Sequence, residues 1–399
     1  MEPLFLSSGL ELLKLSLKRG VVTCDSYMIR LTDAQELRET SPYLVAKFYS
    51  KYHIFMIGPS FAPIFRKAVQ QSYLRSPAIL EGIYMAMFTA VDRSRTGNDT
   101  LHPDFAQGAV SLQQLRTTKI MGTTDALAIL ALGQSLAAFD LLTKCVDTSL
   151  ILRYSLSSIQ PWYQELSKHQ FIDLFAVASI FWDTSWSLLR REYPVIKFCP
   201  PKLPIVDRLA GLCTTLLPIL YDLCVIGHKI KHKKYAERQS FIVAIERIKQ
   251  RILAWTATEP DDLAKSFSKE EILGMKTQVL MYQNVALLIA HRMLNPIGTQ
   301  DDTAWEYANS ITLEFLTYQA LAGNVVQLQQ VGFPILIAAL ELAEFPDEIW
   351  DSIPLFNAAP QALIKLKTAI DYVWTKRRHG YNGYMLDLVD GGPDFVVIP

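Results

Sequence analysis

The chain has 399 residues, with 39 Lys and Arg set against 39 Asp and Glu, so its formal net charge is zero. Half of the residues are apolar and a fifth are charged, which excludes an intrinsically disordered chain. Charge balance also removes counterion release from phosphates as a driving force, so composition argues against direct binding of nucleic acid.

The first twenty residues (MEPLFLSSGLELLKLSLKRG) place Glu2 and Glu11 early and their cations late, the reverse of a secretory signal. Apolar residues then recur at helical spacing almost throughout, and runs of alternating Val, Ile and Thr are absent. This pattern predicts helices at 32–57, 60–75, 77–91, 104–120, 124–146, 169–191, 206–234, 236–255, 268–293, 302–322, 334–344 and 359–379. Ser41-Pro42 and Ser76-Pro77 set a capping residue before a proline at the first helical position, and Thr32/Gln35 and Ser268/Glu271 have the spacing of capping boxes. Breaks are expected at polar 92–102, at proline-rich 193–204, at 256–267 and at 295–299; none is long enough to be a free interdomain tether. No fixed-period repeat indicates a solenoid. The tail at 387–399 ends in an apolar stretch, 395–398, expected to dock extended on the helices or to form a short strand.

The longest uncharged stretch, 315–340, holds four glutamines, an asparagine and a proline, and the apolar stretches 126–139 and 209–221 are short. No membrane span is expected from them. Five scattered cysteines without a CxxC suit reduced thiols of the cytosol or nucleus, so the sequon at Asn98 carries no expectation of glycosylation.

Nucleotide fingerprints of the GxGxxG and GxxxxGK[ST] kinds are absent, and no cofactor is expected. Gly133-Gln134-Ser135 resembles a nucleophile elbow that lacks its last glycine, but it lies in a helical run where a strand and sharp turn are needed; a small residue at a helix contact is the plainer reading. His228 and His232 share a helix face, yet Lys229, Lys231, Lys233 and Lys234 surround them and would repel a metal. A basic helix end suits the helix dipole there, with nuclear import as the alternative, and Lys376-Arg377-Arg378-His379 has the same options. No metal site is expected. Asp261-Asp262 and Asp301-Asp302 precede helices, where carboxylates cap exposed N–H groups. The third Asp of a terpene-cyclase motif is missing, its places holding Lys265 and Trp305.

Isolated polar residues within apolar stretches, Asp140, Asp173, Asp183, Asp222 and His291, are more informative, since a buried carboxylate needs a partner or a raised pKa. Asp183 lies between Trp182 and Trp186. Either the aspartate faces out while the tryptophans face the core, or the segment lines a polar-spotted cavity. The second reading makes Asp183, Trp186, Trp255 and His291 the candidate walls of a ligand pocket.

Several phrases together resemble the fungal-specific transcription factor regulatory domain: 206–224 (VDRLAGLCTTLLPILYDLC), 280–298 (LMYQNVALLIAHRMLNPIG), 333–342 (FPILIAALEL) and the closing 372–398. SPYLVAKFYSKY and AILEGIYMAMFTAV, between 41 and 200, follow a similar rhythm. The resemblance implies an all-α fold: a large multi-helix orthogonal bundle over 41–399, with a short extended C-terminal tail. The family's DNA-binding module holds two zinc ions on six closely spaced cysteines, whereas residues 1–40 contain only Cys24. What remains implied is a regulator in the nucleus or cytoplasm. It would act without direct DNA contact, through a protein partner, a second copy of itself or a hydrophobic small molecule, and in fungal secondary metabolism. The alternative is a helical domain repurposed as a binding protein or as a cofactor-independent isomerase or cyclase.

Overall fold

The computed structural model describes residues 56–96, 102–166, 172–201, 204–232, 238–323 and 327–399. The predicted helix at 32–57, with its Thr32/Gln35 and Ser41-Pro42 start signals, lies outside them apart from its last two residues. The described residues are all-α, with no strand among them. In chain order the helices are α1 (Ala62–Arg75), α2 (Pro77–Thr96), α3 (Phe105–Thr117), α4 (Thr123–Thr143), α5 (Thr148–Ile159) and the single turn α6 (Tyr163–Leu166). Then come α7 (Ile172–Arg190), α8 (Leu217–His232), α9 (Arg238–Ala254), the single turn α10 (Leu263–Ser266), α11 (Lys269–Leu294) and α12 (Asp301–Ala322). The last are α13 (Gly332–Glu341), two short helices α14 (Asp347–Asp351) and α15 (Pro354–Ala358), α16 (Pro360–Arg378) and α17 (Met385–Asp390).

The periodic segments are the helices, and the start signals explain where some begin. Ser268 and Glu271 form the expected capping box: Ser268 Oγ accepts from Glu271 N, and Glu271 Oε2 accepts from Ser268 N. Two expectations need correction. The single helix at 206–234 is interrupted, because Asp207 Oδ1 accepts the N–H groups of Leu209 and Ala210 (2.8 Å each) and Asp207 and Gly211 exchange backbone hydrogen bonds. Gly211 has φ +54°, which a side chain would adopt only with strain, so the chain turns before the 3-10 turn Cys213–Leu216 feeds α8. The loop expected at 92–102 starts later, since α2 continues to Thr96, where Ser94 Oγ donates to the Ala358 carbonyl on α15. The prediction also omits α5, whose apolar positions are diluted by serines.

One contiguous hydrophobic core runs from Met56 to Ile398. Helices α4 and α7 are buried on almost every side, as expected of helices with apolar residues all round. Helix α7 lies against α4, α5, α8 and α17, while α11 and α12 form a helical hairpin on which α13 packs. Three segments are long and apolar enough to cross a membrane, Thr123–Thr143, Ile172–Arg190 and Cys213–His232, in contrast to the sequence expectation of no such span. Neighbouring helices bury 83%, 89% and 50% of their apolar windows. The tail docks on the helices as expected: residues 395–398 are buried without forming a helix or strand, and Trp182 Nε1 donates to the Val397 carbonyl.

Gly133 and Ser135 lie in the middle of α4, with no strand or sharp turn, so the elbow geometry is absent. Gly133 lets α5 approach closely: a Cβ at this position would lie 2.2 Å from Ser155 Cβ. Gly133→Ala should therefore lose about 1–3 kcal/mol despite the better helix propensity of alanine. Adding Ser155→Gly should restore most of it. Urea unfolding of the single and double variants checks this, and a Gly133→Ala protein as stable as its parent would refute the close-contact reading.

Candidate functional site

The four predicted wall residues fall into three places. Asp183 and Trp186 are brought together on α7, around Arg153 from α5. Asp183 is buried, so it does not face outward. The reason lies on another helix: Arg153 Nη1 donates to Asp183 Oδ1 (2.8 Å) and Ser187 Oγ (2.9 Å), while Nη2 donates to the Tyr193 carbonyl (3.0 Å). The guanidinium also lies over the Trp186 ring, 4.7 Å from its centroid. Val195 N donates to Asp183 Oδ2 (2.7 Å), so one carboxylate ties α5, α7 and the loop after α7 together. Burial pushes the Asp183 carboxyl above its ordinary value, against the opposing pull of Arg153 and the Val195 N–H.

Trp255 lies just beyond the C-terminal end of α9, half-buried, and its Nε1 donates to Thr215 Oγ1 (3.0 Å). Gln283 of α11 donates to the Ile252 and Trp255 carbonyls and so closes that helix end. His291 lies in the last turns of α11. Its Nε2 donates to the Gln300 carbonyl (3.1 Å) and its Nδ1 accepts from Asn295 Nδ2 (3.2 Å), a set satisfied by the neutral imidazole. Burial holds its pKa below the ordinary value, and a second ring proton would face the Asn295 amide donor.

The unfolded chain takes up a proton near the ordinary value of about 6.5, before the folded chain does. His291 thus stabilises the fold fully above that pH, and the contribution is lost as pH falls toward the lower folded value. The parent should lose stability relative to His291→Gln between pH 7.5 and 5 in urea titrations. Parallel pH curves would show that the ring is not held neutral.

Of the other isolated carboxylates, Asp140 accepts from Val146 N, Asp147 N and Thr148 Oγ1 and so organises the turn into α5. Asp222 binds Lys197 and Arg251, whose cations lower its pKa against a contrary effect of burial, and Asp173 is exposed. The His228 ring packs at a tilt against Tyr193 and His232, with ring centroids 4.1 and 4.4 Å away, and its Nδ1 meets the Arg191 carbonyl. Among the described residues no three His, Cys, Asp or Glu side chains gather to hold a metal ion.

The basic clusters are partly engaged rather than simply solvated. Lys231 binds Asp390, and Arg377 turns inward to the Leu340 carbonyl and Glu341. Asp301 departs from the capping role expected of it: its carboxylate accepts from Gly298 N and pairs with Arg292 (2.8 Å).

A fully buried pair of charges was missed. Arg292 on α11 and Glu341 on α13 are both fully buried and form a two-pronged pair, Nε to Oε1 at 2.6 Å and Nη2 to Oε2 at 2.7 Å. A signal was present, since each is a charge inside an apolar phrase, as Asp183 is. With Asp301 and Arg377 added, the network joins α11, α12, α13 and α16.

These polar clusters hold helices together within an all-α domain. The sequence profile of the fungal specific transcription factor domain matches residues 142–349, just over half of the chain. The chain belongs to that family. The resembling phrases before 142 and after 349 lie outside the matched segment. No curated protein and no solved structure matches the chain.

Proposed function

We propose that the chain regulates transcription without a DNA-binding module of its own, by engaging a protein partner or a hydrophobic small molecule, in the nucleus and in fungal secondary metabolism. The observation that carries this reading is the family match across 142–349. The cysteine set agrees with it: the 399 residues hold five scattered cysteines, too few for the six-cysteine zinc cluster. Neutral net charge favours recruitment by another protein over direct attraction to phosphates. The enzymic alternative lacks a free acid at its candidate position, because Asp183 is already paired with Arg153.

Deleting the gene should lower the transcripts of a set of biosynthetic genes together. Accumulation of one pathway intermediate with unchanged transcripts would overturn the regulator in favour of an enzyme. The purified chain should form no salt-sensitive, submicromolar complex with duplex DNA. Such a complex, weakening steeply with added salt, would contradict the absence of direct contact.

A further inference from the structure

Helix α12 is apolar on two sides. Its inner stripe, Ala304, Ala308, Ile311, Phe315, Tyr318 and Ala322, is buried against the hairpin and α13. The opposite face of such a helix is ordinarily polar. Here it carries Trp305, Leu313 and Leu316 at 55%, 64% and 43% exposure, with Leu321 exposed one turn on. At about 100° per residue the first three fall within roughly 80° of one another, and they span about 17 Å of helix. Large apolar side chains gathered on one outward face mark an interaction surface more than scattered ones do.

The charge carried by α12 and the sequence on either side of it has one sign. From 293 to 364 the sequence contains no Lys, Arg or His, while it contains nine Asp and Glu. On α12 itself, Asp302 and Glu306 flank Trp305, and Glu314 adjoins Leu313. None of the three has a cation within ion-pair distance among the described residues, whereas Asp301 of the same helix is taken by Arg292. Carboxylates in a first turn also suit the helix dipole, but Glu314 sits mid-helix and gains nothing from it.

We infer that the outward face of α12 is a docking surface for a cationic amphipathic helix of a partner protein. Apolar residues of that helix would cover Trp305, Leu313 and Leu316 over three turns, and its Lys or Arg would meet Asp302, Glu306 and Glu314. A second copy of this chain fits less well, because a twofold contact on α12 would set carboxylates together with no cation to answer them. An anionic lipid surface would be repelled for the same reason. This surface rests on the reading of the chain as a partner-binding regulator. It is tested on purified protein, whereas that reading is tested on transcripts, so each can fail without the other.

The probe is a fluorescent 18-residue helical peptide with Leu on one face and Lys on the other, titrated into the full chain. Its matched control carries Glu in place of Lys. The Lys peptide should bind about tenfold more tightly than the Glu peptide. Leu313→Ala/Leu316→Ala should weaken it about tenfold. Asp302→Asn/Glu306→Gln/Glu314→Gln should weaken it several-fold and flatten its salt dependence. Val243→Ala/Leu253→Ala, on exposed positions of α9, should leave binding unchanged, and all variants should melt like the parent. Equal binding to parent and α12 variants would overturn the proposal, as would equal binding of both peptides. So would a parent dimer in sedimentation that Leu313→Ala/Leu316→Ala dissolves, which would assign the face to a second copy instead.

Discussion

Arg292→Met should unfold about 3–5 kcal/mol more easily than the parent, the cost of leaving Glu341 buried with its main partner removed. The geometry makes the effect large. Both side chains are fully buried, both carboxylate oxygens are used by Arg292, and what remains is one longer contact from Arg377 at 3.3 Å. Removing both charges together has a different sign of argument. Arg292→Met/Glu341→Leu replaces a desolvated pair by apolar groups of similar volume, which is commonly neutral or stabilising. The double variant should therefore recover most of what the single one loses. Denaturant midpoints of the parent, both single variants and the double form a complete cycle. A single variant within about 1 kcal/mol of the parent, or a double variant no better than the single, would show that the pair is not held as described.

Leu288→Asp should be still more damaging, yielding insoluble protein or a loss beyond about 4 kcal/mol. Every residue from Val285 to Met293 on α11 is buried, so no rotation of the side chain brings a carboxylate to water. Leu217→Asp at the start of α8 should behave alike, being equally buried. Leu313→Asp on the outward face of α12 is the control, expected to shift stability by only about 0.5 kcal/mol. Expression, solubility and thermal melting separate the three. A soluble Leu288→Asp protein with a near-parental, cooperative melt would place α11 outside the core.

The helices were legible because burial imposes a period on each, and that period is local. Ser268 and Glu271 announce the start of α11 through contacts three residues apart, which a single sequence displays directly. The turn at 206–216 was hidden because its determinants compete with an apolar pattern that fits a helix just as well. Asp207 binding the next backbone N–H groups is recognisable only once the chain is folded around it. Helix α5 was lost for the opposite reason: Ser155 is buried because Gly133 faces it, so a polar residue occupies an inward position without breaking the fold.

The candidate site was less legible still. The direction in which Asp183 points depends on Arg153, thirty residues away, and Arg292 meets Glu341 across 49. Pairings of this kind leave no mark on composition or periodicity. A rule treating every charge inside an apolar phrase alike would have selected Arg292 and Glu341 with Asp183 and His291. It would not have said which carboxylate belonged to which cation.

The docked tail has a consequence for the order in which the molecule can be completed. Trp182 is synthesised 215 residues before the carbonyl that its indole meets. At about 5–20 residues per second, the socket on α7 stays open for roughly 10–40 s while the rest of the chain emerges. During that interval the helices can collapse, but the surface destined for Phe395, Val396, Val397 and Ile398 has no cover. A message cut short after α17 would therefore yield a polypeptide with nearly all its helices and a permanently exposed apolar slot, an attractive target for chaperones and proteases. Quality control can thus distinguish a chain that carries residues 395–398 from one cut short before them.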